Sequence, residues 1–286
     1  MSLKEIRARI SSVSNTRKTT SAMKMVSSVK LRKAQQAVQS ALPYVQQLDR
    51  ILAGLASMPD FQSVPMLRER PVHRVAIVAI SSDSSLCGGF NSNIIKHSQN
   101  LYDQYKAECD EEPLLFVIGQ KVAGYYLKSG IDVDTTAASY MEKREYQDAA
   151  SLADELMSLF ADNKVDKVII AYTHFKSAGS QRITDEQLIP LKVPEGREGE
   201  INSDYILEPS PEELLTSLLP LVIRMKLYAA ILDSFCSEQA ARMVAMQAAT
   251  DNADKLIGEL TLQYNKLRQQ AITNELLDLA GGQIES

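Results

Sequence analysis

The chain has 286 residues, of which 45% are hydrophobic and 23% are charged. This composition is ordinary for a globular protein and excludes disorder along the whole length. The length fits one large domain or two modest ones. The cysteines, Cys87, Cys109 and Cys236, are odd in number and far apart. This pattern excludes a disulfide scaffold and favours a reducing compartment.

Positive charge is concentrated at the N-terminus. The first 40 residues hold nine Lys or Arg against one acid, Glu5, although the whole chain has a net charge of −5. Such a segment is compatible with a mitochondrial transit peptide, a basic arm for nucleic acid or a membrane surface, or a basic face for an acidic protein partner. It is equally compatible with a solvated basic helix. We expect no bilayer-spanning segment, which needs about 20 apolar residues.

Residues 1–57 predict one long helix, because Pro43 is their one proline and no glycine precedes Gly54. Pro43 marks a point where this helix is expected to be disturbed. Apolar residues at steps of three and four define one face, and the same seam then includes polar positions. The members in chain order are Leu3, Ile6, Ile10, Val13, Arg17, Thr20, Met23 and Val26.

A second helix is predicted after Pro220, and its seam repeats every seven residues over more than six heptads, which implies a left-handed supercoil. The seam comprises Met225, Ala229, Leu232, Cys236, Gln239, Met243, Met246, Thr250, Ala253, Ile257, Leu260, Tyr264, Leu267 and Ala271. Its small and polar members are poor dimerisation residues. We therefore expect this helix to pack antiparallel on the N-terminal helix of the same chain, with a buried helix of an ordinary bundle as the alternative.

Between these helices the apolar pattern changes period. Short β-branched runs predict strands at 74–80, 114–119 and 167–172, and helical patterns occur at 91–108, 120–129 and 147–162. Strands alternating with helices indicate a parallel sheet, and 181–191 predicts a polar edge strand. The expected fold is a long antiparallel coiled coil of terminal helices plus an inserted α/β, Rossmann-like domain with a mainly parallel sheet. The expected domains are 1–57, 72–208 and 210–286.

One loop has a composition suited to chemistry, Ser81-Ser-Asp-Ser-Ser-Leu-Cys-Gly-Gly-Phe-Asn91, because it follows the first strand and precedes a helix. Phosphates bind at this place in doubly wound folds. The loop is neither GxGxxG nor GxxxxGK[ST], and no lysine follows its glycines. A structural turn is favoured over a ligand loop and over catalysis by Cys87. We expect no metal site and no cofactor, since His73, His97 and His174 lack ligand spacing.

Three segments resemble the gamma subunit of F-type ATP synthases. They are IRARISSVSNTRKTTSAMKMVSSVKLRKAQ at 6–35, SSDSSLCGGFNSNI at 81–94 and SEQAARMVAMQAATDNADKLIGELTLQYNKLRQQAITNELLDLAGG at 237–282. The resemblance implies a non-catalytic rotor shaft that couples rotation of the membrane c-ring to ATP synthesis on the beta subunits. It implies alpha, beta, epsilon and c-ring partners, no nucleic acid and no direct bilayer insertion. It also implies a peripheral location on the cytoplasmic face of a bacterial inner membrane.

The same resemblance assigns roles to individual positions. Contacts between shaft and ring are expected at Met23, Lys24, Arg242, Arg268, Gln269 and Thr273. An apolar bearing at the tip is expected at Leu276, Leu277 and Leu279. Contacts of the foot with the c-ring are expected at Tyr205 and Glu208. The family motif in the loop comprises Leu86, Cys87, Gly88, Gly89 and Asn91.

The loop departs from the family pattern, because Ser84 and Ser85 stand where members often have Arg-Gly. Two rival functions remain at this point. One is a nucleotide- or phosphate-binding α/β enzyme that uses the loop at 81–91. The other is a homodimeric coiled-coil scaffold.

Overall fold

A computed structural model describes residues 2–55, 64–192 and 211–282. The expected architecture is confirmed, with a long helix at each end and a mixed sheet between them. In chain order the helices are α1 (Leu3–Leu55), a short 3-10 turn (Pro65–Leu67), α2 (Phe90–Glu108), α3 (Gln120–Ser129), α4 (Tyr140–Lys143), α5 (Tyr146–Ala161) and α6 (Pro211–Gly282). The strands are β1 (Val75–Ile80), β2 (Leu114–Ile118), β3 (Lys167–Ser177) and β4 (Ser180–Ile189).

The chain divides into two compact units. Residues 1–28 and 242–286 form the first, which we call the coil unit, and residues 29–241 form the second, which we call the sheet unit. Both α1 and α6 contribute residues to each unit. The domain limits expected from the sequence, 1–57, 72–208 and 210–286, stay a prediction.

Helix α1 begins with a capping box. The backbone N–H of Ser2 donates to Glu5 Oε2 at 2.8 Å, and the N–H of Glu5 donates to Ser2 Oγ at 3.2 Å. The helix is assigned without a break through Pro43, and α6 likewise continues through Pro220. Proline therefore does not end either helix, although each ring removes one backbone donor.

In the coil unit the two helices run antiparallel. Arg17 Nη1 lies 3.0 Å from Asp254 Oδ1, and Thr20 Oγ1 lies 2.8 Å from Thr250 Oγ1, so partner numbers fall on α6 as they rise on α1. The predicted α6 seam is confirmed, because each of its members in this unit is buried or half-buried. Fully enclosed side chains include Ile6 at 1% exposure and Leu260 at 6%.

The α1 seam differs from the prediction at one step. Val26 was expected inside, but it is 56% exposed, and Ser27 is buried at 2%. The seam steps by four rather than three after Met23, because an α-helix has about 3.6 residues per turn and drifts against a strict 3.5 repeat.

The sheet has strand order β2-β1-β3-β4. Strands β2, β1 and β3 are parallel, and β4 pairs antiparallel with β3 at the edge, as the polar sequence of 181–191 predicts. Every residue of β1 is buried, which explains its uninterrupted apolar sequence. One face of the sheet forms a core with α2 and α3 around Ile94, Val122 and Tyr126.

Strand β3 continues to Ser177, five residues beyond the predicted end. Its last residues are polar and partly exposed, so no apolar pattern marks them, but they pair with β4 from Thr173 to Ser177. Helix α4 was not predicted because four residues are too few to show a helical period.

By length and hydropathy, α6 could cross a membrane, contrary to the expectation that no apolar stretch is long enough. A core helix of a soluble protein passes the same test. In the sheet unit α6 places Leu215, Leu219, Val222, Ile223 and Leu227 at 0–1% exposure, so these side chains are enclosed by protein. Core packing therefore explains the apolar composition of this part of α6.

Candidate functional site

Asn91 holds the loop after β1 together. Its Oδ1 accepts hydrogen bonds from the Ser82 backbone N–H at 3.1 Å and from Ser82 Oγ at 2.9 Å. Its Nδ2 donates to the Ser84 carbonyl at 3.3 Å and to Cys87 Sγ at 3.1 Å. One amide thus uses both its donor and its acceptor within the loop, which is a structural role.

The loop also caps helix α3, which follows β2. Ser81 Oγ accepts the N–H of Val122 at 3.1 Å, and Asp83 Oδ1 accepts the N–H of Gln120 at 3.1 Å. These two oxygens satisfy donors that α3 cannot pair internally. Partial burial raises the pKa of Asp83, and the Gln120 hydrogen bond opposes this shift. Because a carboxylate already lies at this helix N-terminus, a phosphate would meet a like charge there.

Close approach of two backbones fixes the position of the loop. Gly119 has a φ of +99°, and a Cβ at this position would lie 2.3 Å from the Ser81 carbonyl oxygen. Within the loop Leu86 has a φ of +69° and Gly88 a φ of +60°. Leu86 is 57% exposed, whereas Cys87 is 1% exposed, so substrate cannot reach the Cys87 thiol. The motif residues Leu86, Cys87, Gly88, Gly89 and Asn91 therefore build a turn.

Each histidine lies near an aspartate rather than in a metal cluster. His73 Nδ1 lies 2.6 Å from Asp110, and this hydrogen bond raises the pKa of His73. His97 and His174 lie 3.1 Å and 2.6 Å from Asp185 and Asp233 respectively. No group of His, Cys, Asp and Glu able to hold a metal ion occurs in the part of the chain that the structure describes.

The predicted shaft contacts occupy different environments. Met23 and Lys24 are half-buried, and Arg268, Gln269 and Thr273 are exposed. Arg242 is 7% exposed, so most of its side chain packs within the chain rather than facing outward. At the expected tip Leu276 and Leu277 are 61% and 64% exposed. The Leu279 side chain, Tyr205 and Glu208 lie outside the described residues.

The coil unit also has apolar side chains that point outward and that the sequence did not single out as exposed. They are 45–72% exposed: Met25, Val26, Val244, Leu256, Leu262 and Ile272. Exposed apolar side chains are ordinary when they are scattered singly and mark a partner site when they form a contiguous patch. All of these residues except Val26, which was expected in the seam, are found by inspecting the apolar positions that the heptad pattern leaves out.

Comparison with known proteins is consistent with this geometry. A family model described as ATP synthase matches residues 2–284. The ATP synthase gamma chain of Phocaeicola vulgatus is 48% identical, with 98% of each chain covered, and that of Geotalea daltonii is 42% identical, with 98% of this chain and 97% of the relative covered. The chain belongs to the ATP synthase gamma chain family.

Solved structures support the fold. A chain of the Euglena gracilis mitochondrial ATP synthase superposes with a TM-score of 0.67 at 17% identity, covering 99% of this chain and 93% of that one. A chain from the central stalk and c-ring of the Tetrahymena thermophila mitochondrial enzyme gives 0.60 at 23% identity, covering 81% of this chain and 99% of that one. These chains therefore share the fold of long terminal helices with a sheet between them.

Proposed function

We propose that the chain is the central rotor shaft of a bacterial F-type ATP synthase and performs no covalent chemistry itself. The catalytic sites lie on the beta subunits of a ring formed with alpha subunits. Flow of protons through the membrane sector turns the c-ring, and the chain carries this rotation to the ring. The epsilon subunit and the c-ring bind its lower part, on the cytoplasmic face of the inner membrane.

The observation that carries this proposal is the coil unit. Two antiparallel helices bury a narrow seam against each other and direct large apolar side chains outward, as expected of a rod enclosed by partners. Leu256 and Leu262 on α6 are 46% and 72% exposed. Exposed apolar side chains on a thin rod support a surface that partner subunits cover.

The two helices of the coil unit expose different side chains. Helix α1 exposes Lys4, Arg7, Arg9 and Lys18 with one nearby acid, whereas the far part of α6 exposes apolar residues such as Leu262 between charged residues of both signs. Turning the rod therefore presents different side chains to each catalytic site in succession. A binding surface shifts a site between two conformations only if it binds one conformation more tightly than the other. The different side chains that the rod presents in turn supply this difference at each catalytic site.

We assign the following contacts within this proposal. Met23 and Lys24 face acidic loops of the beta subunits, together with the accessible part of Arg242. Arg268, Gln269 and Thr273 contact the upper ring, and Leu276, Leu277 and Leu279 contact its apolar bearing. Tyr205 and Glu208 contact the c-ring.

Reconstitution tests the function. The chain should co-purify with alpha, beta and epsilon subunits and a c-ring, and vesicles carrying the complex should pump protons when ATP is added. Leu260→Pro breaks α6 at a seam residue that is 6% exposed, at a cost of about 3 kcal/mol, and should abolish pumping. Gln263→Ala, at an exposed position in the same helix, is the control and should assemble and pump.

Two results would contradict the proposal. One is pumping that survives Leu260→Pro unchanged. The other is micromolar binding of ATP to the isolated chain with loss on Asn91→Ala, which would favour the nucleotide-binding enzyme. Equilibrium sedimentation addresses the scaffold alternative, because a stable homodimer held through α6 would contradict an antiparallel pairing within one chain.

A further inference from the structure

Five side chains within about three turns of α6 hold this helix to the rest of the sheet unit. They are Arg224, Lys226, Tyr228, Asp233 and Phe235. At about 100° per residue, Tyr228 and Phe235 project within about 40° of Arg224, whereas Lys226 and Asp233 project on the opposite side of the helix.

The first face contacts α5 and the end of α4. Arg224 Nε lies 2.7 Å from Asp154 Oδ1 on α5. The ring of Tyr228 meets the ring of Tyr146 edge to face, with 5.6 Å between centroids. The Arg144 guanidinium lies 3.9 Å from the centroid of the Phe235 ring. These three contacts, an ion pair, an aromatic pair and a cation–π contact, thus lie on the same side of α6.

The opposite face contacts the sheet and α1. Asp233 Oδ2 lies 2.6 Å from His174 Nδ1, and Asp233 Oδ1 accepts the backbone N–H of Phe175 at 2.9 Å. Both partners belong to β3, and the Asp233 side chain is only 14% exposed. Two turns earlier, Lys226 Nζ lies 3.3 Å from Asp49 Oδ1 of α1. Asp233 therefore anchors α6 to a strand through side chain and main chain together.

Contacts on two opposite faces of a helix resist rotation of that helix about its own axis, whereas contacts on one face alone do not. A helix held on a single side rolls over its neighbour when it is turned about its own axis, because side-chain ridges slide along grooves. Attachments on two opposite sides of α6 together oppose its rotation and prevent this rolling. A shaft that is turned by a globular base needs such opposed contacts where the base meets the shaft.

We propose that Arg224, Tyr228 and Phe235 on one face and Asp233 on the other form a torque clamp, which passes rotation from the α/β part of the sheet unit into α6. This inference rests on the proposed rotor function. The clamp positions the shaft and touches neither substrate nor nucleotide. Lys226 extends it by joining α1 to the same face of α6.

Torsional stiffness of single complexes tests the clamp. The ring is fixed to a surface, a bead is attached to α3, and the angular fluctuation of the bead is recorded while nucleotide locks the ring. Asp233→Asn removes the charge and keeps the shape, and it should lower the stiffness roughly twofold, because one of two opposed attachments is weakened. Arg224→Gln combined with Phe235→Leu should give a similar loss of stiffness from the other face. When Arg224→Lys replaces Arg224→Gln in this double variant, most of the stiffness should return.

The matched control is Asp185→Asn. His97–Asp185 is also a histidine–aspartate pair, but it joins α2 to β4 and does not involve α6. This variant should leave the stiffness unchanged, and its effect on thermal stability is measured beside that of Asp233→Asn.

Equal stiffness in wild type, Asp233→Asn and the double variant would overturn the clamp. So would equal softening by Asp233→Asn and Asp185→Asn, which would indicate a purely structural effect. If Asp233→Asn fails to assemble, the double variant on the other face decides alone. Failure of the wild-type complex to rotate would instead contradict the proposed function.

Discussion

Thr20 and Thr250 face each other inside the coil unit, with 2.8 Å between their hydroxyl oxygens. Each hydroxyl also lies near a carbonyl of its own helix, Arg17 at 3.0 Å and Met246 at 2.8 Å. Since each hydroxyl has one hydrogen, one of them donates across the seam and the other donates back to its own helix. A buried polar pair of this kind fixes the register of two helices.

The register can be checked with a disulfide. Thr20→Cys with Thr250→Cys should oxidise readily, because the side chains meet at a distance that a disulfide spans. The crosslinked complex should still rotate, since both residues belong to the rotor. Oxidation is measured by mobility on a non-reducing gel and rotation by ATP-driven pumping.

Ala22→Cys with Thr250→Cys is the control for this experiment. Ala22 is exposed and projects away from the seam, so this pair should stay reduced. Oxidation of the control pair, or failure of the Thr20 pair to oxidise, would contradict the antiparallel register described above.

Gly119→Ala should destabilise the sheet unit by several kcal/mol. The residue has a φ of +99°, which costs an L-residue roughly 1–2 kcal/mol, and the new Cβ would clash with the Ser81 backbone at 2.3 Å. Gly124→Ala is the matched change within α3, where nothing lies within 4 Å, and should stabilise by about 0.5–1 kcal/mol. Denaturant unfolding measures both, and similar midpoints would refute the close approach.

Asn91→Ala should cost about 1–3 kcal/mol, because the backbone N–H of the buried Ser82 loses its acceptor, although the Ser82 hydroxyl can still donate to the Ser84 carbonyl. Ser92→Ala removes an exposed hydroxyl that donates to the Gly89 carbonyl and should change stability by less than about 0.5 kcal/mol. Thermal unfolding of the two variants compares them directly. A neutral Asn91→Ala would mean that the loop is held by other contacts.

The pKa of His73 should lie above its usual 6.5, because its ring hydrogen-bonds to the Asp110 carboxylate. A raised histidine pKa means that the stabilising contribution is complete below 6.5 and is lost as pH rises through the folded-state value. NMR titration of the ring protons measures this pKa. Asp110→Asn should lower it, and an unchanged value would remove the pair as its cause.

Local patterns predicted the elements well and the contacts poorly. Heptad spacing identified the α6 seam, and alternation of apolar runs identified the strands, because both signals come from burial of one face. The seam failed at Val26 and Ser27, where the drift of a real helix against a seven-residue repeat changes the inward position.

The clamp on α6 and the bonds of the loop could not be predicted. Arg224 meets Asp154, which is 70 residues away in sequence, and Asp233 meets the backbone of Phe175. No spacing rule relates such residues, since their proximity depends on how whole elements pack. Asn91 was recognised as a motif residue, but its role as a bridge within the loop required the positions of four partner atoms.

Strand β4 at the edge of the sheet affects whether unassembled copies of the chain associate with one another. A newly made copy must wait in water for its partners, and an open sheet edge invites another copy to add a strand. Strand β4 displays Arg182, Asp185 and Glu186 along this edge. Paired with a second β4, such charged side chains would be brought together and stripped of water, so unassembled copies should remain separate rather than join through their sheets.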